Sequence, residues 1–510
     1  MSERVLVLGG GLAGVACARE LADDGVEVTL VDRNDYHQFQ PLLYQVASAQ
    51  LPAEDIARPH RTIFAEYPSV DVVTAQVTAT DLSARSLSLA DGRTLQGAHL
   101  VMAAGAQPNF FGVPGAAEHA FPLYSVADAE RLRLHLQGLL QAAVDAAASR
   151  EPGSIDVVVV GGGPTGVETT GALAELMLAL RKSGRLAVPG QITLVDRGDA
   201  LLGQFSDKAH GYALEKLTEA GAEVRLGVGV TAVHPDRVQL NDGSSISTRT
   251  VVWGGGESGS AVAQAAGPSP GRGGRLDVRP DLTVAGYPGT YAVGDVANIP
   301  SGDDAAALPQ LGSVAQQSGK WAGQNILREL RGKPTEPFVY KDKGIMAMIG
   351  RNAAVAEVGK HHHQVEGPVA FAAWLGVHAM LLSGVHSKID ASSAGAGTTS
   401  TATTRQPSRQ QRQTLNGSPG PTTARTCRTS CWTGPRRSRL ARKPSEVGGS
   451  LPARHASSRL RPGEFWQGTG GWEAISPDSR AGHLPIPTRR ASSDHARASV
   501  EQRGDPEGYR

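Results

Sequence analysis

Two short glycine-rich loops constrain this chain more than any other feature of its sequence. Residues 9–14 read Gly-Gly-Gly-Leu-Ala-Gly and follow an apolar run at 4–8, and residues 161–166 read Gly-Gly-Gly-Pro-Thr-Gly and follow a valine run at 156–160. Each loop opens a stretch with helical periodicity, which is followed by a second apolar run that ends in an aspartate. Such runs are typical of buried parallel strands, so the sequence predicts two β-α-β units of the same design.

The first loop has the spacing G-x-G-x-x-G, and each of its glycines has a physical role. Gly9 permits a tight turn, Gly11 lets the main chain approach a pyrophosphate, and Gly14 lets the helix pack close to the strand. The free N–H groups at a helix N-terminus favour phosphate, and Asp32 at the end of the second strand can accept a ribose hydroxyl. Because strand, helix and acid accompany the glycines, the loop predicts a dinucleotide site rather than an ordinary glycine turn.

The second loop repeats this pattern with Gly161, Gly163 and Gly166, and Asp196 ends its second strand. A carboxylate at that position repels a 2′-phosphate, which favours NAD over NADP. Arg197 beside it would partly restore NADP binding, although a solvated charge at a strand end is the simpler interpretation.

Two such units without a third nucleotide motif indicate one flavin and one nicotinamide dinucleotide. The segment 291–295, Tyr-Ala-Val-Gly-Asp, supports the flavin, since an aspartate that follows a strand and a small residue can reach a ribityl hydroxyl. Without that context Asp295 would be an ordinary residue at a strand end. The loops indicate an electron donor and a carrier, and they do not identify the acceptor.

The remaining periodicity predicts the elements between and after the two units. Ser125 is expected to cap a helix, with Asp128 at its third position as in a capping box. The other expected elements are hairpin-like strands over 223–240 with a turn at 241–243, a strand-like run over 291–296, a helix over 314–330, paired strands over 343–358 and an apolar segment over 368–386.

These patterns predict an α/β protein with two Rossmann-like dinucleotide-binding domains, one for FAD and one for NAD, and a small C-terminal α+β segment. The expected boundaries are a discontinuous FAD domain over 1–124 and 275–330, an NAD domain over 125–274, and an acceptor- and membrane-side segment over 331–390. Beyond residue 390 the periodicity vanishes, and a disordered basic tail is expected over 391–510.

The formal net charge of +1 conceals an uneven distribution of charge. Residues 391–510 hold 18 Arg and 1 Lys against 8 acidic residues, a net charge of +11, which leaves 31 basic and 41 acidic residues before them, a net charge of −10. An acidic body argues against nucleic acid as a partner. Cys17 is the only cysteine of that body, the N-terminus has no signal-peptide layout, and no apolar run reaches roughly 18 residues, so a cytoplasmic protein without a membrane span is expected.

With these motifs in place, the chain resembles the flavoprotein reductases that have two dinucleotide folds and, within them, the type II NADH dehydrogenases, the non-pumping NADH:quinone oxidoreductases. The resemblance covers roughly residues 4–390. Besides the two loops, it rests on residues 39–45, 103–105, 109–115, 292–295, 342–344 and 349–351.

The resemblance implies which residues contact the two cofactors. For FAD it implies Gly9, Gly11, Leu12, Ala13, Gly14, Asp32, Arg33, Val77, Ala104, Gly105 and Asp295. For NADH it implies Gly161, Gly163, Pro164, Thr165, Gly166, Asp196 and Gly255. It also implies that Glu168 contacts or orients the nicotinamide side as a catalytic residue, and it implies no metal.

The acceptor side departs from the family's pattern, which is an Ala-Gln pair followed by Gln-Gln. When the chain is aligned on Gln317, Ser313 replaces the first glutamine. Gln317 is the expected acceptor-side catalytic residue, although helix surface polarity would account equally well for Gln316 and Gln317. No cysteine pair lies near residues 40–47, and Cys17 is assigned to core packing, so a disulfide or sulfide acceptor is not expected.

The leading hypothesis is FAD-dependent oxidation of NADH with electron transfer to a membrane quinone and without proton pumping, on the inner face of the cell membrane. The alternatives are a soluble NAD(P)H-dependent reductase of a ferredoxin-like or small-molecule acceptor, and an NADH-binding flavoprotein redox sensor with slow turnover. The segment 368–386 could lie in a bilayer interface, while a packed core or homodimer helix would show the same pattern. Three histidines at 361–363 lack flanking ligands and predict a polar loop rather than a metal site.

The resemblance stops abruptly near Asp390. The codons of the following Ala, Ser, Gly and Thr residues, shifted by one nucleotide, can spell an aromatic segment of the kind that the family carries next. An excess of Arg over Lys is also typical of GC-rich DNA translated out of frame. Residues after about 390 are therefore expected to be a frameshift product, and a genuine disordered basic tail is the alternative.

Overall fold

The computed structural model describes residues 4–148, 155–182, 190–301, 304–359 and 362–382. The tail over 391–510 lies outside the described residues, as does the end of the apolar segment at 383–386. The expected disorder of the tail and its out-of-frame origin therefore stay predictions.

The helices and strands follow one another in three groups along the chain. The first group is β1 (Val5–Leu8), α1 (Leu12–Asp23), β2 (Val28–Asp32), β3 (Tyr36–Gln38), α2 (Leu43–Ala47), β4 (Ala57–Pro59), α3 (His60–Ile63), β5 (Val70–Thr74), β6 (Val77–Asp81), β7 (Ser86–Leu89), β8 (Thr94–Gln96), β9 (His99–Met102), β10 (Ala106–Pro108), α4 (Ala116–His119) and β11 (Ala120–Pro122). The second is α5 (Val126–Ala148), β12 (Val157–Val160), α6 (Pro164–Lys182), β13 (Ile192–Val195), α7 (Asp207–Glu219), β14 (Glu223–Arg225), β15 (Val230–Val233), β16 (Arg237–Leu240), β17 (Ser245–Ser247), β18 (Thr250–Trp253), β19 (Glu257–Gly259) and α8 (Ala261–Gln264). The third is β20 (Leu276–Asp277), β21 (Thr290–Ala292), β22 (Ala297–Asn298), β23 (Pro300–Ser301), β24 (Asp304–Ala307), α9 (Gly312–Leu330), β25 (Ile345–Gly350), β26 (Ala353–Val358), β27 (His363–Glu366) and α10 (Pro368–Leu382).

Two five-stranded parallel sheets organise these elements. The first has the strand order β21–β9–β1–β2–β5, and the second has the order β11–β18–β12–β13–β14. All four residues of β1 and all four of β12 are buried, which explains why their sequences are continuous Val and Leu runs rather than alternating ones. The predicted α/β fold with two Rossmann-like halves is confirmed.

The two sheets share one plan around their central strands. In each sheet the chain leaves the central strand through a glycine loop, returns through a helix to the next strand, and later adds a strand on the other side, β9 or β18. In a parallel sheet all carboxyl ends lie at one edge, so each glycine loop lies beside the segment that follows β9 or β18.

Smaller sheets complete the described structure: the parallel pair β20–β22 and several antiparallel sheets. The antiparallel sheets are β6–β7–β8, β15–β16–β17, β25–β26–β27 and the pairs β3–β4, β10–β19 and β23–β24. The expectation of hairpin-like strands from residue 223 is wrong at its start, because β14 pairs in parallel with β13 as the edge of the second sheet. The turn at 241–243 does join two antiparallel strands, β16 and β17, and the paired strands over 343–358 are confirmed as β25 and β26.

Helix α9 packs along α1 because two of its glycines allow a close approach. A Cβ atom on Gly319 would collide with the carbonyl of Ala13, and one on Gly323 would come within 3.2 Å of the carbonyl oxygen of Cys17. Cys17 is fully buried in this core, as expected for a small packing residue, and burial raises the pKa of its thiol to about 12.

The start of α5 and the end of β21 are defined by individual residues. The Ser125 hydroxyl accepts the Asp128 N–H at 3.1 Å, and the Asp128 carboxylate accepts the Ser125 N–H at 3.0 Å, which confirms the capping box before α5. The strand-like run over 291–296 is shorter than expected, since β21 ends at Ala292 and a 3₁₀ turn occupies Gly294–Val296.

Candidate functional site

The first glycine loop is held against the segment after β9. Gly9 has φ +106°, and a Cβ atom on it would collide with the carbonyl of Ala103. A Cβ on Gly14 would collide with the carbonyl of Gly9, whereas a Cβ on Gly11 would meet nothing within 4 Å. Gly9 and Gly14 are therefore required by the protein's own packing, and Gly11 keeps a space open at the N-terminus of α1.

The second loop repeats these contacts one by one. Gly161 has φ +110°, and a Cβ atom on it would collide with the carbonyl of Gly254, just after β18. A Cβ on Gly166 would collide with the carbonyl of Gly161, and one on Gly163 would meet nothing within 4 Å. The same division between packing glycines and one open position thus occurs in both halves of the chain.

An aspartate anchors each loop to the following strand. Asp32 accepts the N–H of Gly10 at 2.6 Å and the N–H of Asn34 at 2.7 Å. Asp196 accepts the N–H of Gly162 at 2.6 Å and the N–H of Gly198 at 2.5 Å. Each carboxylate keeps further lone pairs, so it can accept a hydroxyl while it orders the loop.

The other residues expected around the first loop lie along the same edge of the first sheet. Arg33 follows Asp32 and is exposed, and Val77 opens β6 two residues after Ala75, whose N–H donates to the Asp32 carbonyl at 2.7 Å. Leu12 and Ala13 begin α1, and Ala104 and Gly105 follow β9, with Gly105 at φ +66°. The structure therefore brings these residues together at one end of the first sheet.

Asp295 lies in the 3₁₀ turn beyond β21. Its Oδ1 atom is buried, and none of the described residues offers it a hydrogen bond. Burial raises the pKa of this carboxyl to about 6, against the opposing charge of Arg275. A buried acceptor without a partner is costly, so this side chain is positioned to accept a hydrogen bond from a bound molecule.

Two histidines that the sequence analysis did not single out hold the first loop from the other side. His37 Nδ1 lies 2.9 Å and His60 Nε2 lies 3.0 Å from the carbonyl oxygen of Gly10, and His60 is fully buried. A carbonyl can only accept, so both rings donate at these atoms. Isolated histidines at these positions carry no sequence pattern that would have indicated this contact.

Glu168 lies in the first turns of α6, directly after the second loop. The Met348 N–H of β25 donates to its Oε1 atom at 3.1 Å. Burial raises the pKa of Glu168 to about 8, while the N–H groups of Met348 and Trp374 oppose this shift. The carboxyl is therefore mostly neutral near pH 7, and it can donate as well as accept a hydrogen bond.

The two glutamines of α9 have different surroundings. Gln317 Nε2 donates to the Lys341 carbonyl at 3.0 Å, and the Lys341 N–H donates to Gln317 Oε1 at 3.0 Å. Gln316 instead lines a cavity of about 240 Å³, together with Leu12 of the first loop and Phe39. Gln316 and Leu12 of the first loop therefore face the same cavity, and Gln317 does not line it.

A second cavity, of about 210 Å³, lies at the carboxyl edge of the second sheet. Its lining includes Gly161, Asp196 and Gly255, three of the residues expected to contact NADH. Pro164 and Thr165 begin α6 at the open side of the loop and are exposed. Three of the seven residues expected to contact NADH therefore line one concave surface.

Helix α10 packs on the sheet β25–β26–β27, where Ala370 is buried in a cluster with Ala354 and Ala356, and Trp374 of the same helix is also buried. The exposed part of the helix is apolar, with Val369 69% and Leu375 and Val377 each 41% exposed. Within the described part of the chain, no helix is both long and apolar enough to cross a membrane. The same residues also contain no group of three or more His, Cys, Asp or Glu side chains that could hold a metal ion.

Comparison with known proteins gives consistent matches over the body of the chain. The profile of the family described as pyridine nucleotide-disulphide oxidoreductase matches residues 3–319. The type II NADH:quinone oxidoreductase Ndh of Mycobacterium tuberculosis is 33% identical over 404 residues, which cover 76% of this chain and 86% of that protein. The type II NADH:quinone oxidoreductase of Staphylococcus saprophyticus is 30% identical over 365 residues, which cover 70% and 90%.

Among solved structures, NDH2 from Plasmodium falciparum in complex with NADH superposes with a TM-score of 0.65 at 18% sequence identity. The match covers 75% of this chain and 95% of that one. At this identity the likeness supports the fold alone, and it agrees with the two parallel sheets described above.

Proposed function

The chain belongs to the type II NADH:quinone oxidoreductases, within the pyridine nucleotide-disulphide oxidoreductase family, and we propose that it oxidises NADH with FAD and passes the electrons to a quinone without pumping protons. The observation that carries this proposal is the doubled loop architecture. Both halves of the chain use an open glycine, an anchoring aspartate and a helix N-terminus, and these features occur at the same edge of two equivalent sheets.

The residues of the first half fit FAD. Gly11 leaves open space where a pyrophosphate would approach the N-terminus of α1, and the unpartnered Oδ1 atom of Asp295 can accept a ribityl hydroxyl. The proposed FAD contacts are those expected from the sequence: Gly9, Gly11, Leu12, Ala13, Gly14, Asp32, Arg33, Val77, Ala104, Gly105 and Asp295. When bound, the flavin supplies the two-electron chemistry between a hydride donor and an acceptor.

The residues of the second half would bind and orient NADH. Gly163 leaves the corresponding space open at the N-terminus of α6, and Asp196 would accept a ribose hydroxyl of the donor. The remaining proposed contacts are Gly161, Pro164, Thr165, Gly166 and Gly255. Glu168 would hold a proton on its carboxyl near neutral pH and present it as a hydrogen-bond donor on the nicotinamide side.

The acceptor would occupy the cavity of about 240 Å³ beside α1 and α9. It is lined by apolar side chains such as Phe39 and Ile56 and by Gln316. Polar and charged side chains also line it: Arg19, His37, Glu54, Asp55 and Arg58. Gln317 contributes by holding the Lys341 main chain next to α9. In this proposal the domain boundaries stay at 1–124 with 275–330 for FAD, 125–274 for NAD, and 331–390 for the acceptor side.

A membrane surface is the proposed partner of the exposed side of α10. The sequence Pro368–Leu382 contains no Asp, Glu, Lys or Arg, and Val369, Leu375 and Val377 face outward. Binding there would place the cavity near a membrane-dissolved quinone, on the cytoplasmic face of the membrane. A second copy of the chain is the competing occupant of this apolar surface.

The activity is tested with the purified full-length chain loaded with FAD. We expect NADH oxidation that depends on an added short-chain quinone and a much lower rate without one. Turnover only with an added ferredoxin would overturn the quinone assignment, and flavin reduction without turnover on any acceptor would indicate a redox sensor.

Membrane attachment is tested by co-sedimentation with phospholipid vesicles. Val369→Glu should lower the vesicle-bound fraction, whereas Leu134→Glu, a change at another exposed apolar residue on α5, should leave it unchanged. If Val369→Glu instead converts a dimer into a monomer and leaves vesicle binding unchanged, the exposed side of α10 is a dimer contact.

A further inference from the structure

Phe111 is an exposed aromatic residue that lines the second cavity and has a strained backbone conformation. Its backbone lies in the left-handed region at φ +51°, and its side chain is 52% exposed although it is large and apolar. A bulky residue at positive φ costs free energy, and such strain persists only where surrounding contacts impose it. Phe111 belongs to the segment 109–115, which supports the family resemblance but has been given no role in binding either cofactor.

Contacts within its own segment and with the nicotinamide dinucleotide half of the molecule hold Phe111 in place. Asn109 Oδ1 accepts the Phe111 N–H at 2.8 Å, and the Asn109 carbonyl accepts the indole N–H of Trp253 at 2.8 Å. The Asn109 N–H donates to the Gly256 carbonyl at 3.0 Å. The segment before Phe111 is thus fixed to the chain that follows β18.

The Phe111 side chain lines the second cavity. Its Cζ atom would lie 2.9 Å from a Cβ built on Gly256, and the Arg197 guanidinium lies over the same ring, 5.6 Å from its centre. Phe111, Arg197 and Asp196 all line the cavity, and Arg197 is the only cation among its lining residues. A flat aromatic face and a flat cation therefore lie next to the aspartate that can accept a ribose hydroxyl.

We propose that Phe111 and Arg197 form an adenine clasp: the adenine base of the dinucleotide stacks on the Phe111 ring, and the Arg197 guanidinium covers the adenosine phosphate beside it. This inference rests on the proposed oxidation of NADH and identifies which half of the donor the clasp recognises. Adenine presents a planar π-face of the kind that stacks on aromatic rings, and a phosphate pairs with a guanidinium. The clasp acts on affinity for adenine-containing donors and takes no part in hydride transfer.

Reduced nicotinamide mononucleotide is the discriminating substrate, because it carries the hydride donor but lacks the adenosine half. With the full-length FAD-loaded chain, Phe111→Ala should raise the KM for NADH about tenfold, leave kcat within about twofold, and leave the KM for the mononucleotide unchanged. Phe111→Leu, which keeps apolar bulk, should fall between Phe111→Ala and wild type. Arg197→Ala should raise the KM for NADH several-fold, and the surface control Leu134→Ala should change neither constant.

Calorimetric binding of ADP-ribose supplies a readout that needs no turnover. Its affinity should fall about tenfold in Phe111→Ala and should be unchanged in Leu134→Ala. Unchanged ADP-ribose affinity, or equal losses with NADH and the mononucleotide, would overturn the clasp. An effect of Arg197→Ala confined to NADPH would assign Arg197 to a 2′-phosphate and would also overturn it. A wild-type chain that binds ADP-ribose through Phe111 but does not oxidise NADH would overturn the proposed function and leave the clasp intact.

Discussion

Gln317 and the main chain of Lys341 are joined by two hydrogen bonds of 3.0 Å, one in each direction. The amide of Gln317 is thus committed to holding the segment that precedes β25 beside α9. Gln316, its neighbour, lines the cavity proposed for the acceptor.

This difference predicts separate effects for the two glutamines. Gln317→Ala should lower the free energy of unfolding by about 1 kcal/mol, because it removes two solvent-exposed hydrogen bonds. Gln316→Ala should leave that free energy within about 0.5 kcal/mol of wild type and raise the KM for a short-chain quinone several-fold. Urea unfolding and steady-state kinetics measure the two effects. An unchanged unfolding midpoint in Gln317→Ala, together with lost quinone turnover, would make Gln317 an acceptor contact and would contradict the anchoring role.

The open glycine of each loop is predicted to affect the binding of a different ligand, FAD for Gly11 and NADH for Gly163. Gly11→Ala should leave the fold intact, because its Cβ meets no protein atom, and should reduce FAD affinity at least tenfold. Gly163→Ala should keep the flavin and raise the KM for NADH by a similar factor. Flavin content of the purified protein and steady-state kinetics measure these effects.

Gly14→Ala is the matched control, since its Cβ collides with the carbonyl of Gly9 in the protein itself. We expect it to lower the free energy of unfolding by roughly 1–3 kcal/mol, even without cofactor. If Gly11→Ala destabilises the apoprotein as much as Gly14→Ala does, the space at Gly11 is not a cofactor site.

The buried carboxyl of Asp295 predicts a pH-dependent stability of the apoprotein. Burial raises its pKa from 3.8 to about 6, so the folded state keeps a proton that the unfolded state has lost. Its contribution to stability therefore falls as pH rises from about 4 to about 6, and it stays low above that range. In Asp295→Asn this decrease in stability with rising pH should be absent, because an amide does not ionise.

The difference in unfolding free energy between Asp295→Asn and wild type should grow by about 1 kcal/mol between about pH 5 and about pH 7.5. Urea unfolding of the FAD-free proteins at the two pH values measures it. A constant difference across this range would mean that Asp295 ionises normally in the folded chain.

Glu168 predicts a pH-dependent rate. With a pKa of about 8, its carboxyl is protonated near pH 7 and ionises as the pH rises through about 8. We expect kcat/KM for NADH to fall across that range in the wild type. Glu168→Gln should retain activity within about threefold near pH 7. Its kcat/KM for NADH should no longer fall as the pH rises, because glutamine stays neutral. Glu175→Gln, on the same helix, should keep the wild-type pH profile, and a fall that persists in Glu168→Gln would assign it to another group.

The sequence predicted the loops and their strands well because they depend on local properties. Gly9 and Gly161 must adopt positive φ, and the runs that precede them must be apolar on both faces, so pattern and conformation agree. The strand at 223–225 was misjudged, because pairing in parallel with β13 or antiparallel with the next strand depends on which partner lies nearby. The sequence of such a short strand does not indicate whether it pairs in parallel or antiparallel.

By itself the sequence determined two dinucleotide units, their order, and the aspartates that end their second strands, since these follow from residue type and spacing along a few consecutive residues. Tertiary structure alone decided the contacts between segments far apart in the chain. It brought His37 and His60 onto the carbonyl of Gly10, paired Gln317 with Lys341, and placed Phe111 beneath Arg197. Such contacts depend on how separate elements pack, and no local periodicity encodes that packing.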